Sequence, residues 1–187
     1  MLTIPNILTL GRLLLVPCFL WASMRGMYRE ACVIFVSAAV TDILDGAIAR
    51  RMNLRSKLGA FLDPAADKTL MICGFLYYTY AHLPRVAIPG WLTFTVFMRD
   101  SLIVFFAYLM YTRIQITRFP PSIFGKLSTV LQAVTLAVTI AVNSFLPSWL
   151  PFVELLFRLS LLMTLISGCH YMRRASFLVR GEAPAQA

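Results

Sequence analysis

The chain is broken into apolar runs too long and too numerous for the core of a soluble domain. Between Ile7 and Met24 the one charged residue is Arg12, and comparable runs follow at about 31–50, 58–80, 88–111, 123–145 and 150–172. A helix needs about 20 residues to cross the hydrocarbon of a bilayer, and each run is close to that length. Breakers lie between them. Arg51, Asn53, Arg55 and Lys57 form a short polar link after the second run, Pro84 and Pro89 follow the third, and Pro147 and Pro151 separate the last two. Thr3-Ile4-Pro5-Asn6 supplies a start, with Asn6 expected to cap the first helix. The runs do not alternate, which excludes a membrane barrel. The expected fold is an all-α integral membrane protein with six transmembrane helices. Residues 1–180 are expected to form one membrane domain and 181–187 a disordered tail. No basic leader or small-residue cleavage site precedes the first run, so that helix is expected to be retained.

Composition agrees. Hydrophobic residues make up 59% of the chain and charged residues 13%, against roughly 45–50% and 25% in soluble domains. The 17 basic and 8 acidic residues give a net charge of +9, but the cations gather at run ends and not on a soluble face, which argues against nucleic acid and for membrane lipid headgroups. One set of connections and the C-terminus carry Arg51, Arg55, Lys57, Arg113, Arg118, Arg173, Arg174 and Arg180, and the opposite side carries Arg25, Arg29 and Arg85. By the positive-inside rule both termini face the cytoplasm, the protein residing in the cell (inner) membrane. Trp21, Trp91 and Trp149 lie near run ends, as interfacial anchors do. Cys18, Cys32, Cys73 and Cys169 are single and scattered, so neither a disulfide frame nor a zinc site is expected.

Half of the eight acids fall between positions 42 and 67. Carboxylates near hydrocarbon cost several kcal/mol unless a partner offsets them, so they mark function. Asp42 and Asp45 are three apart on the second run, Asp63 and Asp67 four apart on the third, and each pair shares a helix face. With a short link between the runs, the two helices are expected to be antiparallel neighbours. Four facing carboxylates would repel without a cation, and hard oxygen donors suit Mg²⁺ or Mn²⁺. Gly46 and Ala49 lie one turn on and Gly59 on the facing run, leaving backbone open to a ligand or to helix packing, and Arg50 suits bidentate contact with phosphate. Carboxylates, metal, small residues and arginine together describe a site for a nucleotide diphosphate.

Asp42-x-x-Asp45-Gly46-x-x-Ala49-Arg50, eight residues, then Gly59-x-x-x-Asp63-x-x-x-Asp67 resembles the signature of the CDP-alcohol phosphatidyltransferase family at every specified position. The resemblance implies a six-helix homodimer that transfers a substituted phosphate from a CDP-linked lipid, CDP-diacylglycerol, to an alcohol, with release of CMP. It also implies that Asp42, Asp45 and Asp63 hold metal, two ions in all, and that Asp67 takes the acceptor's proton and can add a metal ligand. No nucleophilic Ser or Cys is required, so a direct single displacement is expected.

For the acceptor, Ile4-Pro5-Asn6-Ile7-Leu8-Thr9-Leu10-Gly11-Arg12, the run Gly59-Ala60-Phe61-Leu62-Asp63-Pro64-Ala65-Ala66-Asp67-Lys68 and Gly125-Lys126-Leu127-Ser128-Thr129 resemble the branch of the family that makes phosphatidylglycerophosphate from glycerol 3-phosphate. A phosphorylated acceptor needs a second cationic group, for which Lys126, Arg118 and Arg113 are candidates; topology-setting charge is the other reading. Arg99-Asp100 departs from that branch, which has Arg-Glu there, and resembles the cardiolipin synthases, whose acceptor is phosphatidylglycerol. Neighbours on a helix point apart, so these two are expected to serve different partners, in a structural network or at substrate. Glu154 and Arg158 are spaced for an i, i+4 pair, and His82 and His170 lack ligand spacing. A cation transporter or channel would use the aspartates but leave the small and arginine positions without purpose, and it would show broken helices or inverted repeats.

Overall fold

A computed structural model describes residues 4–52, 57–114 and 123–179, with side chains described for residues 11, 13–41, 68–106 and 123–173. Among the described residues the protein is all-helical, with α1 (Ile4–Met24), α2 (Tyr28–Met52), α3 (Lys57–Tyr80), α4 (Gly90–Ile114), α5 (Ile123–Ser144) and α6 (Leu150–Val179). All six apolar runs are helices. Asn6 does not cap α1: the helix already begins at Ile4, and Pro5 fits the first turn, where its missing N–H has no partner to lose. Likewise α6 runs to Val179, past the expected end near Met172, because no glycine or proline intervenes before Gly181. The expected tail at 181–187 lies outside the described residues.

The helix ends follow from local chemistry. Gly26 closes α1 with φ +73°, a conformation that suits a residue without Cβ, while the Gly26 N–H bonds the Ser23 carbonyl at 3.0 Å and the Met27 N–H bonds that of Ala22 at 2.9 Å. At the start of α4 the Pro89 carbonyl accepts from Leu92 at 2.9 Å and Thr93 at 3.3 Å. A 3-10 turn at Pro147–Trp149 leads into α6, with Pro151 in its first turn.

Two compact units result: Met1–Ala87 with Leu136–Leu150, and Ile88–Thr135 with Pro151–Ala187. In the first, α1 packs against both α2 and α3. Phe19 is fully buried between Phe35, at 5.9 Å, and Tyr78, at 6.3 Å between ring centroids, and the Tyr77 hydroxyl donates to the Ser23 carbonyl at 2.6 Å. Gly74 lets α3 meet the end of α5 closely, since a Cβ there would lie 2.5 Å from Leu136 Cδ2.

In the second unit α5 and α6 meet along a polar seam. Ser128, Gln132 and Thr135 on α5 are buried, as are Ser160, Thr164 and Ser167 on α6. The Gln132 amide donates to Thr164 Oγ1 at 3.0 Å and to Ser128 Oγ at 3.2 Å, and the hydroxyls of Thr135 and Ser160 are 2.6 Å apart. Beside the seam, outward positions of the same helices include large aliphatics: Val130 is 59% exposed and Leu162 53%. Hydroxyls inside and large aliphatics outside suit lipid as the surroundings. Among the described residues two stretches, Ile123–Ser144 and Pro147–Arg173, are long and apolar enough to cross a membrane.

Candidate active site

The aspartate frame occupies the last three turns of α2 and the first three of α3. At about 100° per residue, Asp42, Asp45, Gly46 and Ala49 fall within about 100° of one another, with Arg50 at the edge of that face. Gly59, Asp63 and Asp67 advance by four and stay within about 80°. Four residues separate Met52 from Lys57, so the frame-bearing ends of the two helices can be no more than about 18 Å apart. The side chains of all eight frame residues lie outside the described set. Thr41, the residue before Asp42, turns its hydroxyl back to the carbonyls of Ser37 at 2.6 Å and Ala38 at 3.0 Å.

Among the described residues no three His, Cys, Asp or Glu side chains gather as a metal site, and the four aspartates are not among those side chains. The donor set still fits a hard divalent ion: four carboxylates, carried on one face of each of two regular helices whose ends a short link ties together.

Of the acceptor candidates, Arg118 lies outside the described residues and Arg113 is placed on α4 without its side chain. Lys126 is exposed in the first turn of α5. Gly125 and Thr129 of the same motif are linked, the Thr129 hydroxyl donating to the Gly125 carbonyl at 3.1 Å.

Arg99 and Asp100 bond each other within a structural network that reaches further partners. Arg99 Nη1 bonds Asp100 Oδ1 at 2.7 Å, because the long arginine stem folds back far enough to overcome the divergence of adjacent Cβ directions. Arg99 is buried, with Nε and Nη2 on Ser167 Oγ at 3.2 and 2.8 Å and Nη2 on the Gly125 carbonyl at 3.3 Å. Ser167, 68 residues away, carried no motif; its heptad-like spacing with Ser160 and Thr164 is the signal that could have singled it out.

Glu154 and Arg158 are both exposed, and among the described residues no ion pair joins them. His82 is exposed, and His170 lies 5.2 Å from the Phe124 ring. The four cysteines are free thiols, Cys32 buried and Cys18 and Cys169 exposed.

A family profile described as CDP-alcohol phosphatidyltransferase matches residues 2–169. The "Probable phosphatidylglycerophosphate synthase" of Mycobacterium tuberculosis is 32% identical over 176 residues, covering 91% of this chain and 80% of the relative. The "CDP-diacylglycerol--glycerol-3-phosphate 3-phosphatidyltransferase" of Aquifex aeolicus is 31% identical over 137 residues, 72% of this chain and 74% of the relative. The "Cardiolipin synthase (CMP-forming)" of Streptomyces coelicolor is 38% identical over 109 residues, 55% of this chain, and the match spans about half, 49%, of that relative's length.

Proposed function

Since the chain belongs to the CDP-alcohol phosphatidyltransferase family, we propose that it transfers the phosphatidyl group of CDP-diacylglycerol to glycerol 3-phosphate, forming phosphatidylglycerophosphate and CMP. The observation that carries this reading is the frame itself: eight signature residues on regular stretches of α2 and α3, at positions that share a face on each helix. The choice of acceptor leans on the two relatives named for phosphatidylglycerophosphate synthesis, matched over 80% and 74% of their own lengths.

In this reading Asp42, Asp45 and Asp63 hold Mg²⁺ or Mn²⁺, two ions, and Asp67 can add a ligand. Bound there, the cations supply charge neutralisation on the diphosphate. Arg50 donates to phosphate oxygens of the donor, and Gly46, Ala49 and Gly59 leave room for it along the backbone. Asp67 accepts the proton of the acceptor hydroxyl as its oxygen bonds to phosphorus and the bond from phosphorus to CMP breaks. Lys126, with Arg113 and Arg118, neutralises the acceptor's own phosphate. The six helices span the membrane with both termini and the frame at the cytoplasmic face, and the protein acts as a homodimer.

The test offers purified enzyme CDP-diacylglycerol with labelled glycerol 3-phosphate, phosphatidylglycerol, serine or inositol phosphate in turn, with and without divalent cation. Phosphatidylglycerophosphate should form from glycerol 3-phosphate alone, in the presence of the cation. A second reading, cardiolipin synthesis from phosphatidylglycerol, is favoured by the 38% identity to the Streptomyces enzyme and by the Arg99-Asp100 pair. Cardiolipin as the only product would establish it instead.

A further inference from the structure

Among the described residues, four of the five N–H donors of Arg99 find partners: two on Ser167 Oγ, one on Asp100 Oδ1 and one on the Gly125 carbonyl. The residue is only 7% exposed. A guanidinium so occupied has little left to offer a substrate anion. It is instead a rigid bracket, held by α6 through Ser167 and by its own helix through Asp100, with one arm on the first turn of α5.

First turns of helices fray, because their amides lack partners within the helix. This one is pinned at a single carbonyl from two sides, by Arg99 Nη2 at 3.3 Å and by the Thr129 hydroxyl at 3.1 Å. The pinned peptide group is the one joining Gly125 to Lys126, and Lys126 is exposed. An ammonium on a four-carbon stem reaches only as accurately as its Cα is fixed.

We propose that Arg99 is a positioning residue for recognition of the acceptor's phosphate: through Gly125 it fixes the backbone from which Lys126 reaches, and Ser167 and Asp100 hold Arg99 in place to do so. This rests on the reading of Lys126 as an acceptor-binding group. It accounts for a buried cation and for the spacing of Gly125, Lys126 and Thr129 with one network.

The test is a double-mutant cycle on the full-length enzyme in detergent or lipid nanodiscs, reading KM for glycerol 3-phosphate, KM for CDP-diacylglycerol, kcat and thermal stability. Lys126→Gln should raise the acceptor KM and leave the donor KM in place. Ser167→Ala should raise the acceptor KM by roughly five- to tenfold, as expected for weakening one charged hydrogen-bond network, again without moving the donor KM. Arg99→Lys should act in the same direction, since an ammonium cannot reproduce the fork. In the Lys126→Gln background, Ser167→Ala should add nothing further to the acceptor KM, and stabilisation of the protein by glycerol 3-phosphate on heating should fall in the same order.

If Lys126→Gln leaves the acceptor KM unchanged, the reading of Lys126 fails and the proposal falls with it. If Lys126→Gln raises it but Ser167→Ala does not, or the two effects multiply in the double variant, Lys126 keeps its role and the positioning role of Arg99 is overturned. Should Ser167→Ala not accumulate as folded protein, Arg99→Lys decides by the same comparison.

Discussion

Asn143 holds Arg85 across 58 residues of sequence: its side-chain oxygen accepts the Arg85 backbone N–H at 3.1 Å and that of Val86 at 3.2 Å, while its amide donates to the Val86 carbonyl at 2.8 Å. Arg85 answers by donating Nη1 to the Val142 and Ser144 carbonyls at 3.0 and 3.2 Å, groups that the end of α5 would otherwise leave unpaired. Asn143→Ala leaves two part-buried backbone N–H groups without their acceptor, so it should destabilise the protein by about 1–3 kcal/mol; Asn143→Asp keeps that acceptor but sets an oxygen where the amide donates to the Val86 and Thr139 carbonyls, and should destabilise as well. Thermal melting in detergent measures both.

Gly74→Ala should be destabilising through packing alone, since the new Cβ would meet Leu136 Cδ2 at 2.5 Å. Because the obstruction is the end of a flexible side chain, the expected cost is about 1–3 kcal/mol. Leu136→Ala, harmful by itself, should lose part of its cost when combined with Gly74→Ala. Additive melting shifts in the double variant would show that the two positions do not share the contact.

Gly26→Ala isolates a backbone effect, because φ is +73° and nothing lies within 4 Å of the added carbon. A cost of about 1 kcal/mol is expected, with Gly26→Asn milder because asparagine tolerates the left-handed region better. Equal melting temperatures for the wild type and Gly26→Ala would contradict the observed closure of α1.

Asp67→Asn should lower turnover by roughly 10²–10⁴, the range for loss of a general base, with CDP-diacylglycerol binding largely retained. Asp42→Asn and Asp63→Asn should instead raise the concentration of Mg²⁺ or Mn²⁺ needed for half-maximal rate. Chelation should abolish activity in the wild type, and added cation should restore it. Inverted configuration at a chiral phosphorus would accord with direct displacement, and retention would contradict it.

The six helices were legible because each needs only its own run of apolar residues and a breaker, both local properties. The helices that carry Asp42 with Asp45 and Asp63 with Asp67 were legible for the same reason, so each spacing could be read as a helical one before any tertiary contact is known. What escaped the sequence was non-local. Arg99 was expected to diverge from Asp100, and only the position of Ser167 on another helix shows why it folds back toward it. The pairing of Asn143 with the 85–86 backbone likewise joins segments that no spacing rule relates. The start of α1 was misplaced by three residues, Ile4 in place of Ile7, because Asn6 is a good cap in general but Pro5 is a better first-turn residue here.

The division between a hydroxylated seam and an aliphatic exterior has a further consequence. Ser128, Gln132, Thr135, Ser160 and Thr164 bond to one another and make no demand on what surrounds the protein, whereas Val130, Val134, Leu155, Leu162 and Leu165 face outward, where apolar surroundings suit them better than water. The instructions for assembling α5 on α6 and the address that sends them to a bilayer are therefore written on separate residues. Rewriting the second set in glutamate, lysine and glutamine would redirect this helix pair toward water while leaving its mutual recognition intact.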